Sequence, residues 1–512
     1  MLLLWRAEAD EWGFRSFEVI MYFSLSVFAS CLLVFGLTSA CAGEASAPTW
    51  LGPTFLEASG ACQGRPGGPL WGTALSWDRH DLHWHACEPR PGEWDDAYLK
   101  QFGERVLAQR KAGVTVLPVL GYNASWSWDR SQRVLVYGKM RRTFVPLGGD
   151  RFELLTETQN GKGAWLEEKR EAVEGTRQWP LAAEHVAAWE AYVRRSVAFL
   201  MAPPYNLTTF QIWNEAHPVS GFWEGDLDTY MTRVHLPAAR VIRELGGTVV
   251  YGGWPCCGSL KELTALLDKH KAWSMLDVVD VHYFGLNAFE HLRREAADRG
   301  FPKMGVWQTE VCFDTQPTYV STVYPRFLAW ALQNGWKDQP DRYKLFFFAY
   351  WSPDDPKAFG YRKTLLSSER LSPHGESLRT LGALFGCKTI RIYTGVRSDP
   401  ALPMGLDGRS SALEAFEVGK RIIIAVQWVD GSVLSRESLK LILPDQMAGE
   451  VAGVERWEAV GWRRTLEFSV AGGSGGQGIE ITVPILDRTD FRCKVRDSDC
   501  QQHGLYVVVT RK

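Results

Sequence analysis

LTTFQIWNEA, residues 207–216, is an apolar run that stops abruptly at Asn214 and Glu215. A short run of this kind reads as a strand buried on both faces, and a carboxylate at its C-terminal end lies where the loops of a parallel barrel converge. Val306-Trp307-Gln308-Thr309-Glu310 repeats the form, again an apolar strand ending in Glu. Other short apolar runs lie around these two: Val114–Leu120, Thr248–Gly252, Leu276–His282 and Tyr343–Tyr350. Amphipathic stretches at 96–113, 183–201, 227–245, 260–272, 288–299 and 319–334 fit helices before, between and after them. Strands alternating with helices predict an α/β domain, here a (β/α)8 TIM barrel.

The start of the barrel is short of residues. Leu75–Trp84 reads as its second strand, which leaves Trp50–Glu57 as the expected first. Between the third and fourth strands, the charged stretch 129–180 is too long for an ordinary connection and is expected to be a lid or cleft wall. After a helix at Pro373–Leu384 the texture becomes β-rich, with RIIIAVQWV at 421–429, GIEITV at 478–483 and LYVVVT at 505–510. The expected domains are therefore an export signal or anchor at 1–45, a catalytic barrel at 46–388 and a C-terminal all-β sandwich at 389–512.

Lys and Arg total 57 against 59 Asp and Glu, with no long run of either sign. This balance gives no electrostatic reason to expect nucleic acid, and it favours a neutral partner. Tryptophan is in excess, with 23 copies. Most are expected to be buried, but indole faces also pack against the C–H faces of sugar rings, which points to an oligo- or polysaccharide partner.

The stretch Val19–Ala42 is apolar and ends in small residues, as export signals do. It leaves three forms open: cleavage after Ala42, lipidation of Cys41, or retention as an anchor. The chain is accordingly expected to be exported, whether secreted, periplasmic or membrane-anchored, with membrane contact only through this segment. Cys493 with Cys500, and Cys62 with Cys87, are candidate disulfides in an oxidising compartment. Cys256-Cys257 reads as a structural pair. His83 and His85 would share a strand face with Asp81 while His80 points away, a poor metal set, so neither a metal nor a cofactor is expected.

Glu215 and Glu310, from separate strands of one barrel, can face each other across a cleft as glycoside hydrolysis requires, one donating a proton and the other attacking the anomeric carbon. At this point the sequence resembles the clan A barrel glycosidases that include β-xylosidases, α-iduronidases, endo-glucanases and exopolysaccharide hydrolases. In that clan the acid/base follows an Asn at the end of the fourth strand and the nucleophile ends the seventh. Residues 84–94, WHACEPRPGEW, are similar to a further clan stretch, as are Tyr122 and Trp126 after the third strand, His282-Tyr283 after the sixth and Trp351 after the eighth. The resemblance implies Glu215 as acid/base and Glu310 as nucleophile of a retaining hydrolase. It also implies that Asn214 bonds the sugar 2-hydroxyl, Arg79 and Tyr283 hold Glu310, and Trp351 floors the sugar. Tyr122 stands where many relatives carry His. Two alternatives stay open: a binding barrel without turnover, and a transglycosylase using the same residues.

Overall fold

The computed structural model describes residues between 52 and 512, with breaks of which the longest are 351–365, 403–411, 429–437 and 485–502. The export segment, Cys312, Trp351, Cys493 and Cys500 lie outside the described residues.

Eight parallel strands close into a barrel: β1 (Ser59–Cys62), β2 (Trp77–Leu82), β3 (Thr115–Leu120), β4 (Thr209–Ile212), β5 (Thr248–Val250), β6 (Val278–His282), β7 (Gly305–Val311) and β8 (Tyr343–Phe347). Each pairs with the next in parallel, β5 meets β6 at Val250↔Val278, and β8 returns to β1 at Phe346↔Gly60. The expected barrel is therefore present.

The first strand is not where the sequence pointed. Phe55–Ala58 is a helical turn capped by Thr54, and its Phe55 packs against Tyr324 and Phe385. The strand proper is Ser-Gly-Ala-Cys, whose small residues carry no β signal. Small size is required there, because a Cβ on Gly60 would stand 2.6 Å from the Phe346 ring.

Inward-facing side chains fill the barrel in layers, as two-residue periodicity dictates. At the bottom, Lys344 is buried, with its ammonium 4.2 Å from the centre of the Trp77 ring, 2.8 Å from the Glu57 carbonyl and 3.0 Å from Asp341. Trp77, Leu117, Val250, Val278, Trp307 and Phe346 form the apolar layer above it. Two residues further along their strands, Arg79, Asp280 and Thr309 begin a polar layer that opens at the C-terminal mouth. An apolar, largely aromatic floor thus lies under the polar groups, a low-polarity setting that strengthens charge interactions beside it.

The insertion is a four-stranded antiparallel sheet, Val134–Tyr137, Met140–Gly148, Arg151–Gln159 and Trp165–Glu174, in chain order. It has its own small core of Trp128, Leu135, Phe144, Phe152 and Trp179.

The C-terminal strands form two antiparallel sheets, neither paired with the barrel sheet among the described residues. In the larger sheet Ile422, Ile424, Val426, Val507 and Val509 face the second sheet, while Ile423, Ala425, Tyr506 and Val508 join the barrel's core cluster. That sheet is covered on both sides, which is why its strands read as unbroken apolar runs. Tyr506 secures the contact by donating to the Ser321 carbonyl at 3.0 Å, on the helix Pro317–Gln333.

Candidate active site

The segment after β4 is turned by unusual backbone. Trp213 and Glu215 both take left-handed φ, 66° and 44°, a conformation disfavoured for bulky side chains. Trp213 N–H donates to Leu120 at 2.8 Å and Glu215 N–H to Gly252 at 2.7 Å, so the strained turn is held from both neighbouring strands.

A β-bulge shapes the other side. The pairing of β7 with both neighbours shifts register between Trp307 and Val311, within the stretch holding Thr309 and Glu310. Strict alternation would put consecutive residues on opposite faces, but the extra residue re-aims the strand. Thr309 and Glu310 therefore both reach the barrel interior.

Arg79 organises the centre. Its guanidinium donates to Glu310 Oε1 at 2.7 Å, to Asn214 Oδ1 at 2.6 Å and to Gln211 Oε1 at 2.8 Å. A planar fork of fixed donors suits this three-way demand. Tyr283 adds a longer contact, its hydroxyl 3.4 Å from Glu310 Oε2.

His282 lies between the two carboxylates. Its Nδ1 is 3.0 Å from Glu215 Oε1 and 3.7 Å from Glu310 Oε1. Its Nε2 is 2.9 Å from Thr309 Oγ1 and 3.3 Å from Asp280 Oδ2, while Thr309 itself donates to Asp280 at 2.5 Å. Burial alone would lower the His282 pKa, but the charges of Glu310 and Asp280, with hydrogen bonds to Asp280 and Glu215, outweigh it and bring it up to about 9. The ring is then an imidazolium at neutral pH, donating from both nitrogens.

Burial lifts Glu215 above the ordinary carboxylate range, and the Glu310 charge adds to the lift, while His282 and Arg79 pull the other way. Glu215, His282 and Glu310 each present one ligand atom within 4.8 Å of the others, the one grouping among the described residues with the spacing and donors to hold a metal ion. Arg79 and an imidazolium beside the same carboxylates oppose a cation there.

Eight of the nine sequence-predicted site residues can be placed by their contacts. Arg79, Asn214, Glu215, His282, Tyr283 and Glu310 converge. Tyr122 is buried next to them, edge-on to Trp213 at 5.0 Å and stacked on His83 at 5.8 Å. Trp126 stands apart: its indole N–H donates to the Glu88 carbonyl at 3.1 Å and its ring packs edge-on against Trp84. Trp351 lies outside the described residues. Sequence reasoning missed Gln211, Asp280, Thr309 and Gly253. Asp280 had a signal, since it sits two residues before His282 on the same strand face.

Cys62 and Cys87 are not bonded, contrary to the candidate pairing. Cys62 Sγ instead donates to the Thr309 carbonyl at 3.0 Å from β1, and Cys87 is buried in the turn Trp84–Cys87. Cys256 and Cys257 are likewise free and exposed, so they do not form a structural pair.

Solved structures of glycoside hydrolases share the barrel architecture of this chain. One is a family 39 glycoside hydrolase from the gut symbiont Bacteroides cellulosilyticus WH2, 13% identical over 89% of this chain and 81% of its own, with a TM-score of 0.52. Another is a family 39 β-xylosidase from Caulobacter crescentus, 15% identical over 90% of this chain and 98% of its own, with a TM-score of 0.53. A monomeric β-xylosidase from Caulobacter crescentus CB15 is 13% identical over 90% and 97%, with a TM-score of 0.53. At these identities the likeness establishes the fold. No family model and no curated protein matches the chain.

Proposed function

We propose that the protein is a retaining glycoside hydrolase acting on a neutral oligo- or polysaccharide, with Glu215 as general acid/base and Glu310 as nucleophile. The observation that carries this reading is the carboxylate pair at the barrel mouth, Glu215 just past the end of β4 and Glu310 on β7, with an oxygen of each within 4.8 Å of the other. Retaining enzymes hold their carboxyl groups about 5 to 5.5 Å apart, whereas inverting enzymes leave about 6.5 to 9.5 Å for a water.

The surroundings suit divided roles. Glu215, whose pKa burial raises, is suited to give a proton to the leaving oxygen. Glu310, held by Arg79, is oriented for attack on the anomeric carbon, displacing the leaving group and forming a glycosyl ester. Glu215, now ionised, takes a proton from water, whose oxygen attacks the same carbon and releases Glu310. Asn214, itself fixed by Arg79, is placed to bond the sugar 2-hydroxyl, an interaction that strengthens as the oxocarbenium-like transition state forms. The xylosidases among the structural neighbours make pentosides a sensible first substrate class. The apolar segment at 19–42 supports an exported enzyme that meets its substrate outside the cytoplasm.

The test is a panel of aryl glycosides offered to the purified protein, with Glu310→Ala and Glu215→Ala alongside. Turnover by the wild type and its loss in Glu310→Ala support the assignment. Tight glycan binding without turnover would make the protein a binding barrel, and oligomeric products growing with added sugar acceptor would make it a transglycosylase.

A further inference from the structure

The inserted sheet touches the loop that follows Glu215 at two places. Tyr137, the last residue of its first strand, has its hydroxyl 2.6 Å from Glu262 Oε1 and 3.0 Å from His217 Nε2. Its ring meets the His217 ring edge-on at 4.8 Å, and Trp254 packs edge-on against that ring at 5.0 Å. Further along, Arg142 of the second inserted strand pairs with Glu224 at 2.7 Å, and Glu224 N–H donates to the Gln178 carbonyl at 3.1 Å.

His217 is fully buried and two residues beyond Glu215. Its own N–H donates to the Glu215 carbonyl at 2.7 Å, and Ser220 Oγ donates to the same oxygen at 2.6 Å. The hydrogen bonds around the ring run in one direction. Nδ1 accepts from Val219 N–H at 3.4 Å, with Cys257 Sγ 3.8 Å away. Nε2–H is then the donor, to Tyr137 at 3.0 Å and more weakly to Glu262 Oε2 at 3.4 Å, and the Tyr137 hydroxyl donates to the Glu262 carboxylate. Every group in this relay is used, and its far end is the backbone of a residue with φ of 44°.

We propose that Tyr137 is a positioning residue for Glu215: through His217 it fixes the strained backbone from which the acid is presented, and the inserted sheet thereby forms the leaving-group wall of the cleft. This rests on reading Glu215 as the acid/base. The acid stands on the leaving-group side of the scissile bond and the nucleophile on the opposite face of the sugar. A sheet bonded to the acid's own loop therefore flanks the leaving group. Small misplacements of a proton donor are costly because proton transfer depends on heavy-atom reach and alignment.

Leaving-group chemistry separates positioning from general damage. A 2,4-dinitrophenyl leaving group departs with little protonation, whereas unsubstituted phenol needs the acid. Tyr137→Phe keeps the ring on His217 and removes only the hydroxyl. Expected is a loss of about tenfold in kcat/KM on the phenyl glycoside, with the dinitrophenyl glycoside within about twofold of wild type. Glu262→Gln, which weakens the acceptor of the same relay, should show the same selective loss. Equal losses on both substrates, or none on either, overturn the proposal. Glu215→Gln serves as the standard, with an expected loss of at least about 100-fold on the phenyl glycoside. If that standard behaves and Tyr137→Phe matches wild type, only the positioning role fails. If Glu215→Gln leaves phenyl glycoside hydrolysis intact, the acid/base assignment fails and the positioning role goes with it.

Discussion

His282 and Asp280 lie two residues apart on β6 and face each other inside the barrel, with Nε2 3.3 Å from the carboxylate and Thr309 bonded to both. This contact fixes the imidazole by one nitrogen and leaves the other aimed at Glu215 and Glu310. The candidate acid and nucleophile thus share one buried cation. Their separation is set by the ring, by Arg79 and by the bulge in β7.

The raised His282 pKa makes stability depend on pH. Its folded value of about 9 exceeds the unfolded reference of 6.5, so its contribution is fully present below about 6.5 and is lost as pH rises through about 9. The stability difference between wild type and His282→Gln should shrink by on the order of 3 kcal/mol across that window, read from urea unfolding. A difference that does not change with pH would mean that His282 is neutral in the folded protein.

Arg79→Lys keeps the charge and loses the fork. One ammonium cannot reach Gln211, Asn214 and Glu310 in their present places. Turnover should fall by about 100-fold, since both Glu310 and Asn214 lose their alignment. Retention of wild-type kcat would show that charge alone suffices at this position.

Gly253 has φ of 64°, and a Cβ there would stand 2.2 Å from His282 Nε2. Gly253→Ala should destabilise by about 2 kcal/mol and abolish most activity, because the imidazole must move. Gly67, with φ of 80° and open space around its Cβ position, is the control. Gly67→Ala should cost about 1 kcal/mol and leave kcat unchanged. Similar effects of the two changes on kcat would separate Gly253 from the site.

What the sequence disclosed follows from where its signals lie. β4 and β7 were legible because an apolar run that ends in Glu breaks its own pattern at the barrel mouth. β1 was not, since Ser59–Cys62 consists of small residues that carry no β signal, and at Gly60 the Phe346 ring leaves no space for a Cβ. The inserted sheet was unreadable for another reason. Its core draws on Trp128, Phe144 and Trp179, far apart in the chain, while strands such as WLEEKREAVE at 165–174 are mostly exposed and charged. The bulge is a one-residue event, and simple alternation along β7 would have turned either Thr309 or Glu310 away from the interior. Glu310 was found through its motif, whereas Thr309, Asp280 and Gln211 entered only with the three-dimensional contacts.

The division of labour between the two carboxylates can be read from stereochemistry. Glu310→Ala should abolish turnover and leave room where the carboxylate stood, so that azide attacks the anomeric carbon from that face and yields a glycosyl azide of inverted configuration. Glu215→Ala should still form the glycosyl ester from substrates whose leaving groups need no proton. Azide then attacks that ester from the opposite face, and the product keeps the original configuration. Proton NMR of the two azide products distinguishes these outcomes directly. Retained product from Glu310→Ala with inverted product from Glu215→Ala would exchange the roles, and full activity in either variant would remove that residue from the mechanism. The surroundings of the two carboxylates favour the first pattern, because Arg79 holds Glu310 at 2.7 Å while burial raises Glu215.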